Sequence, residues 1–302
     1  MADMVEMEVA LDLPVSYMAR TRAWYAALGY DPYLWAHQET VPFAIAPRLA
    51  EARVALVTTT APVKDGAGDQ GPGAPYNAAA KFYEVWSADP EAVPPLGISH
   101  VAIDRAHTTA EDRRSYLPLE ALQAAANEGR IGGLGRVHGL PTNRSIRVTR
   151  TVDCPDLVAR IHADGAQAAV LVPNCPVCHQ SCALAASALE ASGVPAVVMG
   201  AARDIPEHVG VPRLVWSDVP LGNAAGLPQD AAGQGRVLAA ALDLLEFARA
   251  PRTTVASGIS WPGGSEWKRD YMNPALLSEA ELARRRAEFA AQRATAKAVR
   301  SG

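Results

Sequence analysis

Three of the four cysteines in the 302-residue chain fall within the run NCPVCHQSC, at Cys175, Cys178 and Cys182, and the fourth is Cys154. A disulfide framework in a secreted protein spreads its cysteines so that they cross-link the chain. A tight cluster points instead to redox chemistry, metal binding or a nucleophile. In the Cys-x-x-Cys pair of Cys175 and Cys178, one sulfur can attack an electrophile and the other can release it by closing a disulfide. His179 follows directly, a group able to give or take a proton. Cys182 lies one helical turn beyond Cys178 on the same face. Cys175, Cys178 and Cys182 with a distant ligand are therefore also a candidate zinc or iron–sulfur set. The remaining reading is structural, with small buried cysteines filling an Ala-rich helix.

Other polar residues are candidates for the same site. In HVAIDRAH, His100 and His107 bracket Asp104, a spacing that suits a His–Asp pair beside a substrate, a metal, or a histidine satisfied by packing. His138, in GRVHGLP, is a further candidate for that cleft. Glu84, in KFYEVW, is either an edge residue or an anchor for a substrate ammonium. Arg144 and Arg203 are candidates for a carboxylate, and Asn223 for a loop at the carboxyl end of a strand. There is no Gly-x-Gly-x-x-Gly after a strand and no Walker loop, so nucleotide binding is not indicated. There is no Gly-x-Ser-x-Gly elbow either.

These residues need elements to hold them. Apolar residues at helical spacing over 14–28 end at Gly29 and predict a helix. Residues 53–60 (RVALVTTT) predict a buried strand, and 61–76, rich in Gly, Pro and Asp, a long loop at its end. Residues 97–103 predict a second strand and 117–127 an amphipathic helix closing near Gly129. From Pro155 the pattern is sharper: a helix ending at Gly165, an apolar strand at 168–173, a helix ending at Gly193 and a strand at 194–200. That order is a βαβ unit, hence parallel sheet. Residues 213–218 predict another strand and 235–248 another helix. A last helix starts at Ser278 with the Ser/Glu281 pattern of a capping box. It carries Arg284, Arg285, Arg286, Arg293, Lys297 and Arg300, either as a solvated face or as a docking surface.

The expected fold is α/β, with parallel-sheet Rossmann/flavodoxin-like lobes and an extra C-terminal helix. Its expected parts are an N-terminal lobe over 1–150, a lobe over 151–250 carrying the Cys-x-x-Cys loop, and an extension over 251–302. Ligands of open α/β sheets bind beyond the carboxyl ends of the strands. Cys175 is two residues past Pro173 in such a loop, and Cys178 is in the first turn of the next helix, where backbone N–H groups and the dipole favour a thiolate.

The run DGAQAAVLVPNCPVCHQSCALAASALEASGVPAVVMG resembles the selenoprotein B family, which includes components of glycine, sarcosine and betaine reductases and of D-proline reductase. PVSYMARTRAWYAALGY, RVALVTTT, KFYEVWS, ISHVAIDRAHTT, LPLEALQAAANEGRIGGLG and VPRLVWSDVPLGN agree, so the resemblance runs from about residue 14 to about 250. It implies a selenocysteine position at Cys175 and a resolving cysteine at Cys178, with sulfur replacing selenium as a weaker nucleophile. In the family the substrate amino acid is held as a Schiff base on a pyruvoyl group of a separate subunit, and nothing in this chain clearly supplies one. Cys154, in TVDCPD, is only a remote candidate for a self-cleavage site.

Net charge is −4 with a pI near 6.0, and no long uncharged apolar run is present, so neither nucleic acid nor a membrane is expected as a partner. The opening MADMVEMEVALDLP lacks the basic start and apolar run of a secretion signal, and a cytoplasmic location is expected. The expected activity is reductive cleavage of a C–N or other carbon–heteroatom bond in a small amino-acid-like substrate. Cys175 would attack, Cys178 would resolve, His179 or the His100/His107 pair would move protons, and an external dithiol or thioredoxin-type reductant would reset the pair. The alternatives are a desulfurase acting on a thione or thioamide and a metal-dependent hydrolase or lyase. A partner reductase subunit is possible on this reading. A homo-oligomer is also expected, with the segment around Trp261 and Trp267 as a candidate interface.

Overall fold

The computed structural model describes residues 13–31, 33–71, 73–98 and 100–301. Most of the opening stretch that bears on location precedes residue 13, and Ser99 of the expected second strand is also outside the described residues.

The elements are α1 (Tyr17–Ala27), β1 (Arg53–Thr58), β2 (Ala61–Pro62), β3 (Trp86–Ala88), β4 (Leu96–Gly97), α2 (Leu119–Asn127), β5 (Gly133–Gly139), α3 (Ile146–Val148), α4 (Cys154–Ala163), β6 (Ala168–Val172), α5 (Pro176–Ala191), β7 (Ala196–Gly200), α6 (Asp204–Val209), β8 (Arg213–Asp218), α7 (Ala231–Phe247), β9 (Thr253–Ser260) and α8 (Glu279–Ser301). A π-helical turn, Thr149–Asp153, joins α3 to α4. Seven strands form one sheet in the order β3-β5-β1-β6-β7-β8-β9. All its pairings are parallel except β3 with β5. This is a mixed α/β architecture of the Rossmann/flavodoxin-like kind. The sheet runs across residues 150 and 250, since β1 pairs directly with β6 and β9 pairs with β8.

Strand side chains alternate between faces, and the core divides accordingly. Ala55, Val57, Ala169, Leu171 and Val198 pack with Leu157 and Ile161 of α4 and Ala185 and Leu189 of α5. Val54, Leu56, Val170, Val172 and Val197 pack with Leu119 and Leu122 of α2 and Leu238, Leu242 and Leu245 of α7. Both faces are covered, which is why β1, β6, β7 and most of β8 read as unbroken apolar runs.

Several elements differ from expectation. The strand expected over 97–103 is only two residues long, Leu96–Gly97, paired with Ala61–Pro62. The chain then turns back, because the Asp104 carboxylate accepts from the His107 amide and the Asp104 carbonyl from the Thr108 amide. Strand β5 carries Gly133, Gly135 and Gly139, so it lacks a strand-like composition. Glycine is required where the antiparallel edge strand crosses it, since a Cβ at Gly139 would overlap the Trp86 ring. Trp267 is buried in the chain's own core, so it is not available as a subunit contact. Helix α8 is capped as its sequence predicts, with the Glu281 amide donating to Ser278 Oγ at 3.2 Å. Leu282, Arg285, Phe289, Gln292, Ala296 and Val299 form its half-buried stripe, while Arg284, Arg286, Arg293, Lys297 and Arg300 are exposed. Among the described residues no helix is long and apolar enough to cross a membrane.

Candidate active site

Strand β1 has β5 on one side and β6 on the other, so the chain reverses its direction of travel across the sheet at β1/β6. Beyond the carboxyl ends of two such strands their following loops part and leave a crevice. Thr59 leaves β1 and Asn174 leaves β6 at that point. The Asn174 backbone N–H and Nδ2 both donate to Thr59 Oγ1, at 3.2 and 2.9 Å, and so fasten the two loops together. Cys175 follows as the extended residue that caps α5, with Pro176 in the first helical turn. Proline there fixes the helix entry without losing a hydrogen bond.

His179 holds this corner from behind. Its Nδ1 lies 2.8 Å from the Cys175 carbonyl, which can only accept, so Nδ1 carries the proton. Its Nε2 then accepts from the backbone N–H groups of Ala201 and Ala202, at 2.9 and 3.1 Å. Burial lowers its pKa to about 4. With both nitrogens committed to backbone and no face on the pocket, His179 is a buttress and not the proton carrier expected from its position beside Cys178.

Cys175 lines a pocket whose walls include Tyr25, Tyr76, Lys81, His100, Thr142 and Asn143. Its free volume is about 60 Å³. One water needs about 10–15 Å³ on that scale, so the pocket suits a small molecule. Cys178 is wholly buried behind Cys175. The two thiols have opposite tendencies. Burial, a hydrogen bond to Cys178 and the charge on Cys178 hold the Cys175 thiol well above its ordinary pKa. Burial also pushes Cys178 up, but Cys175, His100 and Thr142 outweigh it and hold that thiol well below the ordinary value. Thr142 Oγ1 is 3.5 Å from Cys178 Sγ and can donate to it once the sulfur is charged. These contacts favour ionisation of the inner sulfur over the outer one.

His100 completes this arrangement. Its Nε2 is 2.8 Å from the Thr59 carbonyl, which fixes the proton on that nitrogen. Its Nδ1 is buried and is the nitrogen left to act on the Cys178 sulfur. An imidazole so placed can exchange a proton with that sulfur, and holds the thiolate when the proton is on the ring.

The other sequence candidates lie elsewhere. His107 Nδ1 contacts Asp104 at 2.9 Å and its Nε2 is 3.4 Å from Asp270. This cluster ties the turn after β4 to the segment before α8, and neither His107 nor Asp104 lines the pocket. His138 is fully buried on β5 against Ser87 Oγ, at 2.9 Å, with its pKa lowered to about 4 by burial. Glu84 is exposed in an adjoining surface groove. Arg144 pairs with Asp153, Arg203 with Glu207, and Asn223 with Thr108 and the Pro220 carbonyl. Cys182 packs with Cys154 in the core between α4 and α5. Among the described residues no group of three His, Cys, Asp or Glu side chains is placed to hold a metal ion.

Thr59, Thr142, Asn143 and Lys81 carry no signal of their own in the sequence. The first three share one retrievable feature, which is that they follow the carboxyl ends of β1 and β5. Lys81 Nζ donates to the Asn143 carbonyl at 3.0 Å and sits 5.1 Å from the Tyr83 ring centre. Burial, with Arg144 and Arg300 nearby, lowers its pKa to about 8.

Over 158 residues the chain is 26% identical to the D-proline reductase subunit gamma of Acetoanaerobium sticklandii. It is a distant homologue of that subunit. The match covers 51% of this chain and 64% of the relative. No protein-family model matches the chain, and no solved structure does.

Proposed function

We propose that this chain is a thiol-dependent reductase that cleaves a C–N or other carbon–heteroatom bond in a small amino-acid-like substrate. The observation that carries this reading is the placement of the Cys175–Cys178 pair at the start of α5, with Cys175 lining a small pocket beyond the carboxyl ends of β1 and β6 and Cys178 buried behind it. The distant likeness to a D-proline reductase subunit supports the same reaction class, as does the resemblance of the NCPVCHQSC run to selenoprotein B sequences.

Cys175 Sγ attacks the substrate carbon, forming a C–S bond as the C–N bond breaks. The Cys175 proton passes inward to Cys178, and the departing amine takes its proton from solvent. His100 Nδ1 then takes the Cys178 proton. The Cys178 thiolate attacks Cys175 Sγ, an S–S bond forms, the C–S bond breaks, and the carbon takes up the proton. The singly ionised pair supplies two electrons and one proton, solvent supplies the second proton, and the products are an amine, a C–H bond and a disulfide. An external dithiol or thioredoxin-type reductant reopens the disulfide by exchange. A partner subunit that presents the substrate belongs to this proposal, since the relative is itself named as a subunit.

The test is alkylation and intact mass before and after dithiothreitol, on protein purified without chelator. It is followed by turnover assays with dithiothreitol on D-proline, other amino acids, betaines and thiones. The expected result is a reversible loss of two protons mapped to Cys175–Cys178, and amine release that disappears in Cys175→Ser. A bound metal that protects these cysteines from alkylation would overturn the reading. Sulfide release from thiones with no amine release would replace it with the desulfurase alternative.

A further inference from the structure

The cysteine pocket and two openings beside it are lined by cations and hold no carboxylate among the described residues. The exposed Glu84 lies in a separate groove on the outer side of Lys81. Helix α8 lies across the mouth. Its Phe289 packs on Tyr25, Tyr30 and Tyr76, the Tyr83 hydroxyl donates to the Ala296 carbonyl at 2.9 Å, and the Gln292 side chain accepts from the Ala78 amide. Two openings under this helix share Lys81 and Asn143 with the pocket, and Arg144, Arg293 and Arg300 stand along them. Among the described residues no Asp or Glu lines the pocket or either opening. Arg144 is neutralised by Asp153, whereas no carboxylate among the described residues lies within ion-pair distance of Lys81. Lys81 uses one of its three donors on the Asn143 carbonyl. A half-buried cation with spare donors, in the same small pocket as a nucleophile, is costly unless something anionic completes it.

Resting on the reductase reading, we infer that Lys81 is the residue that selects and seats an anionic group of the substrate, a carboxylate, beside the carbon that Cys175 attacks. Arg293 and Arg300 on α8 raise the local concentration of such anions at the entrance. One small molecule filling the pocket touches both Lys81 and Cys175. The seated carboxylate also serves the chemistry, because negative charge builds on the adjacent carbon when Cys178 takes the sulfur away. An ammonium fixed against that carboxylate stabilises the charge as it spreads onto the carboxylate oxygens.

Two small alkylating probes test this without knowledge of the substrate. Iodoacetate carries a carboxylate, iodoacetamide does not, and both alkylate Cys175 through the same thiolate. The ratio of their rates on the full chain therefore cancels any change in thiolate content. The expected result is a rate ratio that favours iodoacetate over its value for a free thiol, and that falls as salt screens the entrance. Lys81→Gln should lower the ratio about tenfold, the scale of a charge-assisted contact. Lys81→Arg, which keeps the charge, should retain most of it. An unchanged ratio in Lys81→Gln, with Cys175 still alkylated, would overturn this inference and leave the reductase reading standing. Failure of both reagents to label Cys175 in the reduced wild type would overturn both. Loss of the preference in both Lys81→Gln and Lys81→Arg would also count against the inference, because charge alone would then not account for it.

Discussion

Cys154 and Cys182 are as deeply buried as Cys175 and Cys178, each of the four being at most 2% exposed. Yet the two pairs have different characters. Cys154 and Cys182 belong to the apolar core, and burial, the largest influence on each, raises Cys154 to about 12 and Cys182 well above its ordinary value. Around Cys175 and Cys178 the same burial is opposed on one sulfur by a thiol, an imidazole and a hydroxyl, and the inner thiol falls instead of rising. Desolvation sets the default for a buried thiol, and a few directed polar contacts reverse it on one atom. The difference follows from the polar atoms that the loops after β1, β5 and β6 bring together, and not from the cysteines alone.

The largest expected effect sharpens this contrast. Cys178→Ser should cut turnover by roughly 10³-fold or more and leave a covalent substrate adduct on Cys175 that intact mass detects, since nothing remains to resolve it. Cys182→Ala should leave turnover within about threefold and cost roughly 1–2 kcal/mol of stability through the lost packing. Equal losses of turnover in the two variants would erase the distinction between the pairs.

The fold was legible where period and punctuation agree. The βαβ unit from 155 to 200 shows apolar strands, a proline at each helix start and glycines at the ends, and the structure has helices and strands there. The position of the cysteine loop was legible for the same reason, because Cys175 follows an unmistakable strand. What the sequence hid was set by tertiary contact. Strand β5 is disguised by glycines that the crossing Trp86 demands. The HVAIDRAH run is divided by the Asp104 turn, so that His100 reaches the pocket while Asp104 and His107 tie down a different segment. Lys81 is an ordinary lysine until α8 and the loop after β5 close around it.

The two histidines flanking the thiol pair offer a second, smaller test. His100 has a buried nitrogen left over to act on Cys178, while His179 has none to spare. His100→Gln should raise the Cys178 pKa, visible as a thiolate absorbance that appears at higher pH, with little change in unfolding free energy. His179→Leu should instead cost about 2–5 kcal/mol, because it orphans the amides of Ala201 and Ala202. If His100→Gln leaves the thiolate titration in place, the assignment of His100 as the base is wrong.

The smallest effect distinguishes a buttress from a proton carrier. His179 is neutral in the fold, with its pKa lowered from 6.5 to about 4, so between those values the unfolded chain binds a proton that the native state refuses. Stability contributed by the neutral ring is complete above about pH 6.5 and is lost as pH falls toward 4. The free-energy gap between wild type and His179→Leu should therefore narrow by up to about 1.4 kcal/mol per pH unit through that window. Wild-type stability alone would not show this. His138 behaves like His179, with its pKa lowered to about 4, whereas Asp153 and Asp204 are raised to about 6 by burial and work in the opposite direction. All three titrate alike in both proteins and cancel in the difference. Denaturant titrations of the two proteins across that window measure the gap, and one that stays constant would mean that His179 accepts a proton in the folded state, as a catalytic base would.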